Sequence, residues 1–548
     1  MFGNQRVVWR VGGDPKTPGL KPENADGGSE VQRHPLGDYS RPDYLHGTVK
    51  ECFSPLLVFA AGDPDDFTNK DHSFFAGERF RKSLVVVNDH LYPVTVAYSW
   101  TCGGQSGAGS IRVEAGGIAR EPIELLAPEV AEKTDAALSV EWSVRDARGA
   151  EGKGTDSLAL RFFPRRGQQG DDSKKAPVCL FDPLDNTAEV LRRAGVAFTP
   201  VPSLDGLPPG TRLIVGQGAF ADAPLEGDLP GTVLDAIVFE QPTNALPRFV
   251  MTAPSLRDAF ATIPASPLLA GLDDADLADW RGASDTVPAF VVFDEITPHY
   301  PRSKWKCRNG GIVSGCVIRR PSRGNFRTVV SCGFNLEDAA LLEERRANGG
   351  RIVWCQMDVT SRYGKDPAAT RLVDNLLKDL SVRIPGQQAY DSRRDAPVFY
   401  LGSAADAKTL ALAGARIPAW DGASRGTVLV LPGADLSRLP FAYRRGRTLD
   451  FRAAAPDDPV FTGVSAADLY FRNANDLPPP AFDVRHEGDS TFVFLGLAPD
   501  GSIKGLWNDE KILRVWSTVL TNLGVPLTPE SPYIPDLDAY DGDAFHNW

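Results

Sequence analysis

The sequence predicts a multidomain β plus α/β protein: an antiparallel β-sandwich followed by two related α/β units with mostly parallel sheets. Three observations carry this expectation. Apolar-alternating runs between 73 and 164 recur about every ten to sixteen residues, separated by Gly, Pro and Asp turns, as in a sandwich. Downstream, strand runs alternate with helical runs, the pattern of parallel sheets with helices on each face. Five landmarks of the region 176–382 then return in the same order in the last third of the chain, which marks an internal duplication with a shorter second copy.

Taken in order, residues 1–65 read as a lead-in arm rich in Gly, Pro and charge. The arm ends in TVKECFSPLLVFAA (48–61), a short helix or buried strand pinned by Pro55. The sandwich, immunoglobulin-like in its spacing, is expected over 66–166. Its strand runs are FFAGERFRKSLVVVND (74–89), TVAYSWTC (95–102), SIRVEAGG (110–117), REPIELLAP (120–128), ALSVEWSVRD (137–146) and DSLALRFFP (156–164). Residues two apart share a face of a strand, so Trp100, Val140, Trp142 and Leu160 are expected in one core.

A polar linker (167–176) leads into the first α/β unit, 176–384, and a second linker (386–396) leads into the other, 396–530. The units open with APVCLFDPLDNTAEVLRRAGVAF (176–198) and APVFYLGSAADAKTLALAGARI (396–417). LIVGQGAF (213–220) answers VLVLPGADL (428–436). SPLLAGLDDADLADWRG (266–282) answers DPVFTGVSAADLYFRN (458–473), with Gly271 matching Gly463 and Leu277 matching Leu469. RTVVSCGFN (327–335) is set against STFVFLGLA (490–498), and AATRLVDNLLKDLSV (368–382) against KILRVWSTVLTNLGV (511–525). Residues 531–548 form an acidic, aromatic tail.

Composition narrows the function classes. With 42% apolar and 24% charged residues the chain is an ordinary globular protein, and its net charge of −12 argues against a nucleic-acid partner held by phosphate contacts. No stretch approaches the ~18 apolar residues of a membrane helix. The first residues lack the apolar core of a secretory signal, and the compartment is left open. Seven cysteines without a CxxC spacing point to free buried thiols, not to a disulfide framework or a zinc site. Seven scattered histidines offer no HxxH or HxxxH, so neither a metal nor a cofactor is expected.

The chemistry-bearing motifs give way, one after another, to structural readings. Gly216-Gln-Gly218 follows a strand, but Pro224, Gly227 and Pro230 replace the helix a dinucleotide site needs, leaving a tight turn. GAEGKGT (149–155) has the wrong glycine spacing for a phosphate loop. The pairs Asp65-Asp66, Asp171-Asp172 and Asp273-Asp274 lie beside Gly, Pro or Ser and read as solvated turns. Asp71-His72 and Trp280-Arg281 are the most chemically suggestive pairs. A Trp face beside a guanidinium can stack a sugar, although a buried Trp anchoring a strand corner is the plainer reading.

Asp71-His72-Ser-Phe74-Phe75-Ala-Gly77-Glu78, then Lys82 and Val85-Val86-Val87-Asn88-Asp89, resembles the sandwich that follows the catalytic barrel in large bacterial β-galactosidase-like glycoside hydrolases of the family 2 and family 42 kind. HGTVKECFSPLLVF (46–59) is similar to the barrel-side helix that leads into it. NGGRIVWCQMDVTSRYGKDPAATRLVDNLL (348–377) resembles the closing strand and helix of the amidotransferase-like, flavodoxin-like domains appended to such enzymes. The resemblance implies a non-catalytic C-terminal portion of a glycoside hydrolase, in a scaffold or carbohydrate-contacting role. The barrel takes about 250 residues, so it would be encoded separately or lost by truncation. The alternative is a free-standing degenerate amidotransferase-like module that binds a small ligand or a protein. Class I amidotransferases use a Gly-x-Cys-x-Gly elbow and a His-x-Glu, both missing around Cys316. No catalytic residue is carried over. Asp71, His72, Trp280 and Arg281 are the candidate carbohydrate contacts.

Overall fold

A computed structural model describes residues 53–145, 151–165, 178–297, 300–382, 396–443, 458–469, 482–501 and 508–534, the side chains of 291–307 and 466 apart. Strands dominate, and they form several separate sheets with mixed parallel and antiparallel pairing.

The first module is a β-sandwich. Leu56–Ala61, Arg79–Asn88 and Gly117–Leu126 form one antiparallel sheet. The other runs Ser73–Phe75, Glu151–Phe163, Thr134–Arg145, Val94–Cys102, Gln105–Val113. Its two ends are set by Ser73–Phe75, parallel to the last strand, and by the Val94–Cys102 hairpin. Leu84, Val86, Val96, Leu138, Val140 and Leu160 fill the space between the sheets, with Trp100 and Trp142 packed half-buried against the same core. The alternation of the sequence therefore yields the expected inner face. Gly77, at φ 66, breaks the run 74–89 so the chain can cross from one sheet to the other. The segment expected as a barrel-side helix is instead a strand where it is described. LLVFAA (56–61), bounded by Pro55 and Gly62, is too short for a stable helix and pairs residue for residue with Ser83–Asn88. The sandwich thus begins at Leu56 rather than at 66.

The second module is built on a ten-stranded sheet. Phe198–Pro200, Val178–Phe181, Thr211–Val215, Val233–Val238 and Arg351–Cys355 lie side by side and parallel. Asp338–Arg345 then turns the sheet antiparallel, followed by Val317–Arg319 and Phe326–Cys332 and two short outer strands. The sheet is therefore mixed. Helices on both faces were expected, yet the helices Ala188–Arg193 and Pro367–Val382 cover one face only. On the other, Phe220, Leu246 and Phe249 come from irregular chain on either side of the strand Val233–Val238. Pro224, Pro230, Pro242 and Pro247 deny that stretch a helix.

The third module repeats the scheme in small. Val398–Leu401, Thr427–Val430 and Ser490–Phe494 are parallel, with Asp483–Glu487 antiparallel at the edge. Helices Ala404–Leu412 and Asn508–Asn522 cover one face, while among the described residues Trp420 and Phe441 cover the other. Two of the five sequence landmarks shift. Phe326–Cys332 is flanked by antiparallel neighbours, whereas Ser490–Phe494 follows an antiparallel partner and precedes the last helix. Its positional counterpart is Arg351–Cys355, which follows Asp338–Arg345 in the same hairpin manner.

The closing helices correspond one turn away from the sequence match. Asn375 Nδ2 donates to Leu268 O and Ala270 O at 3.1 and 3.0 Å; Asn522 Nδ2 donates to Val460 O and Thr462 O at 2.9 and 2.8 Å. These carbonyls belong to the 3₁₀ turns Pro267–Leu269 and Pro459–Phe461 and the residues after them. Each asparagine pins a turn to its helix. Asn375→Ala and Asn522→Ala each strand two acceptors, and each lowers the unfolding free energy by about 1–3 kcal/mol in urea titrations. A loss under about 0.5 kcal/mol at both sites would mean the turns are held by packing alone.

Candidate functional site

In an open parallel sheet the carboxyl ends of the strands are where ligands are taken. Here those ends carry Asp182, Gly216, Glu240-Gln241 and Gln356-Met357-Asp358. Gln241 is buried and braces three segments: Nε2 donates to Gly216 O and Phe239 O at 2.8 and 2.7 Å, while Oε1 accepts from Phe220 N at 3.0 Å. Its own N–H meets Gln356 Oε1 at 3.0 Å. Asp358, wholly buried, accepts from Ser361 Oγ at 2.6 Å and from Arg362 Nε at 3.1 Å. Glu240 Oε1 accepts from Thr360 N and Oγ1 at 2.9 and 3.0 Å. Burial, and then the Asp358 charge, push the Glu240 carboxyl up to about 8, so it is neutral at pH 7.

The central crevice is thus filled by the protein's own polar side chains. Burial raises the Cys316 thiol, and burial together with Glu240 raises Cys355 well above the usual range, the opposite of an activated nucleophile. Gly216 makes the expected tight turn, since a Cβ there would lie 2.1 Å from Asp182 Oδ1. A small open cleft of about 310 Å³ remains at the edge, lined by Asp182, Arg192, Phe198 and Pro200 among others.

The four residues singled out from sequence converge on the junction between the sandwich and the second module. Trp280 is 1% exposed and donates Nε1–H to Asp276 O at 2.7 Å. With no ring face at the surface it packs the core instead of stacking a sugar, which corrects that expectation for Trp280. Arg281 Nη1 meets Glu78 Oε1 of the sandwich at 2.6 Å, and its other nitrogens hold Lys365 O. His72 Nε2 lies 2.9 Å from Ala275 O, across the same junction. Asp71 is half-buried, with its backbone carbonyl taken by Lys82 Nζ. Burial brings Lys82 down to about 8, against the pull of Asp71. Asp273 and Asp274 are exposed in a turn, as expected, and Asp273 also accepts from Lys133 and Arg161 of the sandwich. These are docking contacts, and their polar groups are already satisfied by the protein. Asp171-Asp172 lie outside the described residues.

Trp100 and Trp142, expected in the core, have a second aspect and are joined by Tyr98, which the sequence reading did not single out. Tyr98, Trp100 and Trp142 sit on the inner face of the five-stranded sheet, and Tyr98 and Trp142 are directly paired across strands. Each ring leans over a glycine of the next strand: Gly109, Gly107 and Gly154 respectively. A Cβ at these glycines would lie 2.6 Å from the ring atoms, so the flat platforms and the glycines require one another. The row remains half-exposed, and Glu121 of the facing sheet hydrogen-bonds Tyr98. The legible signal was the Gly-x-Gly spacing opposite alternating aromatics, as in GAG (107–109) and GKG (152–154). Among the described residues no group of three or more His, Cys, Asp or Glu is arranged to hold a metal ion. No described helix is long and apolar enough to cross a membrane.

No protein-family model matches the chain, and no curated protein matches it. Among solved structures, Escherichia coli alpha-2-macroglobulin, from domain MG7 to its C-terminus, is similar at 14% identity and TM-score 0.17, over 20% of this chain and 17% of that one. A PapD-like domain of human CEP192 is similar at 15% identity and TM-score 0.15, over 21% of this chain and 87% of that one. A CARDB domain from Pyrococcus furiosus is similar at 8% identity and TM-score 0.15, over 20% and 86%. The class that the fold defines is a mostly β, multi-sheet protein with a β-sandwich.

Proposed function

We propose that the chain is the non-catalytic portion of a β-galactosidase-like glycoside hydrolase, a rigid arm whose sandwich contacts carbohydrate through Tyr98, Trp100 and Trp142. The observation that carries the non-catalytic part is the filled crevice: Gln241, Glu240, Gln356 and Asp358 occupy the strand ends where an enzyme of this architecture would take its substrate. The strand order of the five parallel strands is that of flavodoxin-like sheets, which supports an amidotransferase-like ancestry for the second module, and the matching Asn375 and Asn522 clamps support a duplication. Flat aromatic faces beside a carboxylate suit a sugar, which offers C–H faces and hydroxyl donors together. The second reading, a small-ligand module, rests on the edge cleft beside Asp182 and Arg192.

The test is calorimetric titration of the purified chain with galacto-oligosaccharides. Binding is expected to weaken at least about tenfold in Trp142→Ala and Trp100→Ala, about 1.4 kcal/mol, with little change for Arg192→Ala. Nitrophenyl galactosides and glutamine are expected to remain unturned. Binding unaffected by both tryptophan changes but lost in Arg192→Ala would transfer the site to the edge cleft. Turnover above a heat-denatured control would overturn the non-catalytic reading.

A further inference from the structure

The turn 266–277 and its counterpart 458–469 share more than sequence. Ser266 and Asp458 cap their 3₁₀ turns by accepting from Leu268 N and Val460 N, each followed by proline. Gly271 and Gly463 then take positive φ, 77 and 88. Asp273 N donates to Asp276 Oδ2 at 2.8 Å, and Ser465 N donates to Asp468 Oδ2 at 2.9 Å. Asp276 and Asp468 are both buried, at 0% and 1% exposure, where an unpaired carboxylate would be costly. Each is paired, and the cations come from elsewhere in the fold.

Asp276 receives Arg161 Nη1 at 2.8 Å and Lys133 Nζ at 2.7 Å, both from the sandwich. Asp468 receives Arg320 Nη2 at 2.9 Å from the second module, and Arg514 Nε at 2.9 Å from its own closing helix. Arg514 also reaches back to Glu337 of the second module at 2.8 Å, and Lys511 lies 3.3 Å from the same carboxylate.

We propose that Asp276 and Asp468 are one docking socket used twice, each seating a guanidinium from the module that precedes it, Arg161 and then Arg320. A duplicated unit would carry the socket with it, so the same carboxylate fixes the first copy to the sandwich and the second copy to the first. The three modules are thereby chained in one order and one orientation, whatever the sandwich face binds. Geometry restricts what can be seated: the capping N–H holds one side of each carboxylate, leaving the remaining lone pairs for cations delivered from outside the turn. The lone arginine supplied by each preceding module is the natural probe, because changing it leaves the turn's own caps intact.

Hydrogen exchange on the full-length chain tests this. In Arg161→Met, exchange is expected to rise at least about tenfold at 266–282 and at 151–163, with 458–469 unchanged. In Arg320→Met, the rise is expected at 317–345 and 458–469, with the sandwich unchanged. Protection within twofold of the parent at either junction overturns the socket. So does an equal rise in strand Arg79–Asn88, which would mark a general loss of stability instead of local undocking. Should a methionine variant fail to fold, Arg161→Gln and Arg320→Gln, which keep a polar donor but remove the charge, decide by the same criteria.

Discussion

Asp468→Ala is expected to lower the unfolding free energy by about 3–5 kcal/mol, the range for removing one partner from a buried ion pair. Asp468 is 1% exposed and stands between two guanidinia that are themselves almost wholly buried, Arg320 and Arg514. Removing it leaves Arg320 facing Arg514 with Glu337 as the nearest remaining carboxylate. Burial acts to raise the Asp468 carboxyl, but Arg320 and Arg514 outweigh it and hold the group far below the usual carboxylate range. A carboxyl depressed on folding contributes stability that is present above its unfolded value, about 3.9, and is lost as pH falls toward the lower folded value. The gap between parent and variant is therefore constant across neutral pH and narrows only below about pH 4. Urea titrations at pH 7, 5 and 3 measure it. A deficit below about 1 kcal/mol at pH 7 would mean that the cluster confers register rather than stability.

What the sequence made legible was local. Alternation placed Val140 and Leu160 inside the sandwich, and Trp100 and Trp142 beside them, because period two on a strand is fixed by backbone geometry. The plainer reading of Trp280 as a strand-corner anchor agrees with its burial. What escaped depends on which module meets which. Nothing in DDADL (273–277) states that Lys133 and Arg161, far away in sequence, will close over Asp276. The repeated Ala-Asp-Leu at 275–277 and 467–469 was a usable signal, since a charged residue kept at the apolar-flanked end of a turn implies a buried partner. Helices were expected on both faces although Pro224, Pro230, Pro242 and Pro247 forbade them on one; the α/β template prevailed over the local chemistry. Glu240 had no signal, because Ile-Val-Phe-Glu-Gln-Pro reads as a strand end open to water, and only packing from Thr360 and Gln356 closes it.

Glu240→Gln is expected to stabilise the protein at alkaline pH and to do almost nothing near pH 5. The wild-type carboxyl is raised to about 8 by burial first and by Asp358 second, while the unfolded chain releases the same proton near 4.3. Between those values the folded state holds a proton that the unfolded state does not. Stability therefore falls as pH rises through that window and levels off above it, the reverse of the Asp468 case. At roughly 1.4 kcal/mol per unit the whole loss is about 3–5 kcal/mol, and full burial leaves no solvent screening to discount it. Glutamine keeps an oxygen for Thr360 N and Oγ1 and does not titrate. Its amide takes the place of Oε2, which has no hydrogen-bond partner among the described residues. Parent and variant should thus agree within about 1 kcal/mol at pH 5 and diverge by about 3–5 kcal/mol at pH 8.5, with the variant the more stable. Midpoints in urea at pH 5, 7 and 8.5 give the comparison. If the two proteins follow the same curve at every pH, the Glu240 proton is not retained on folding, and the crevice at the strand ends is open to water and to ligands.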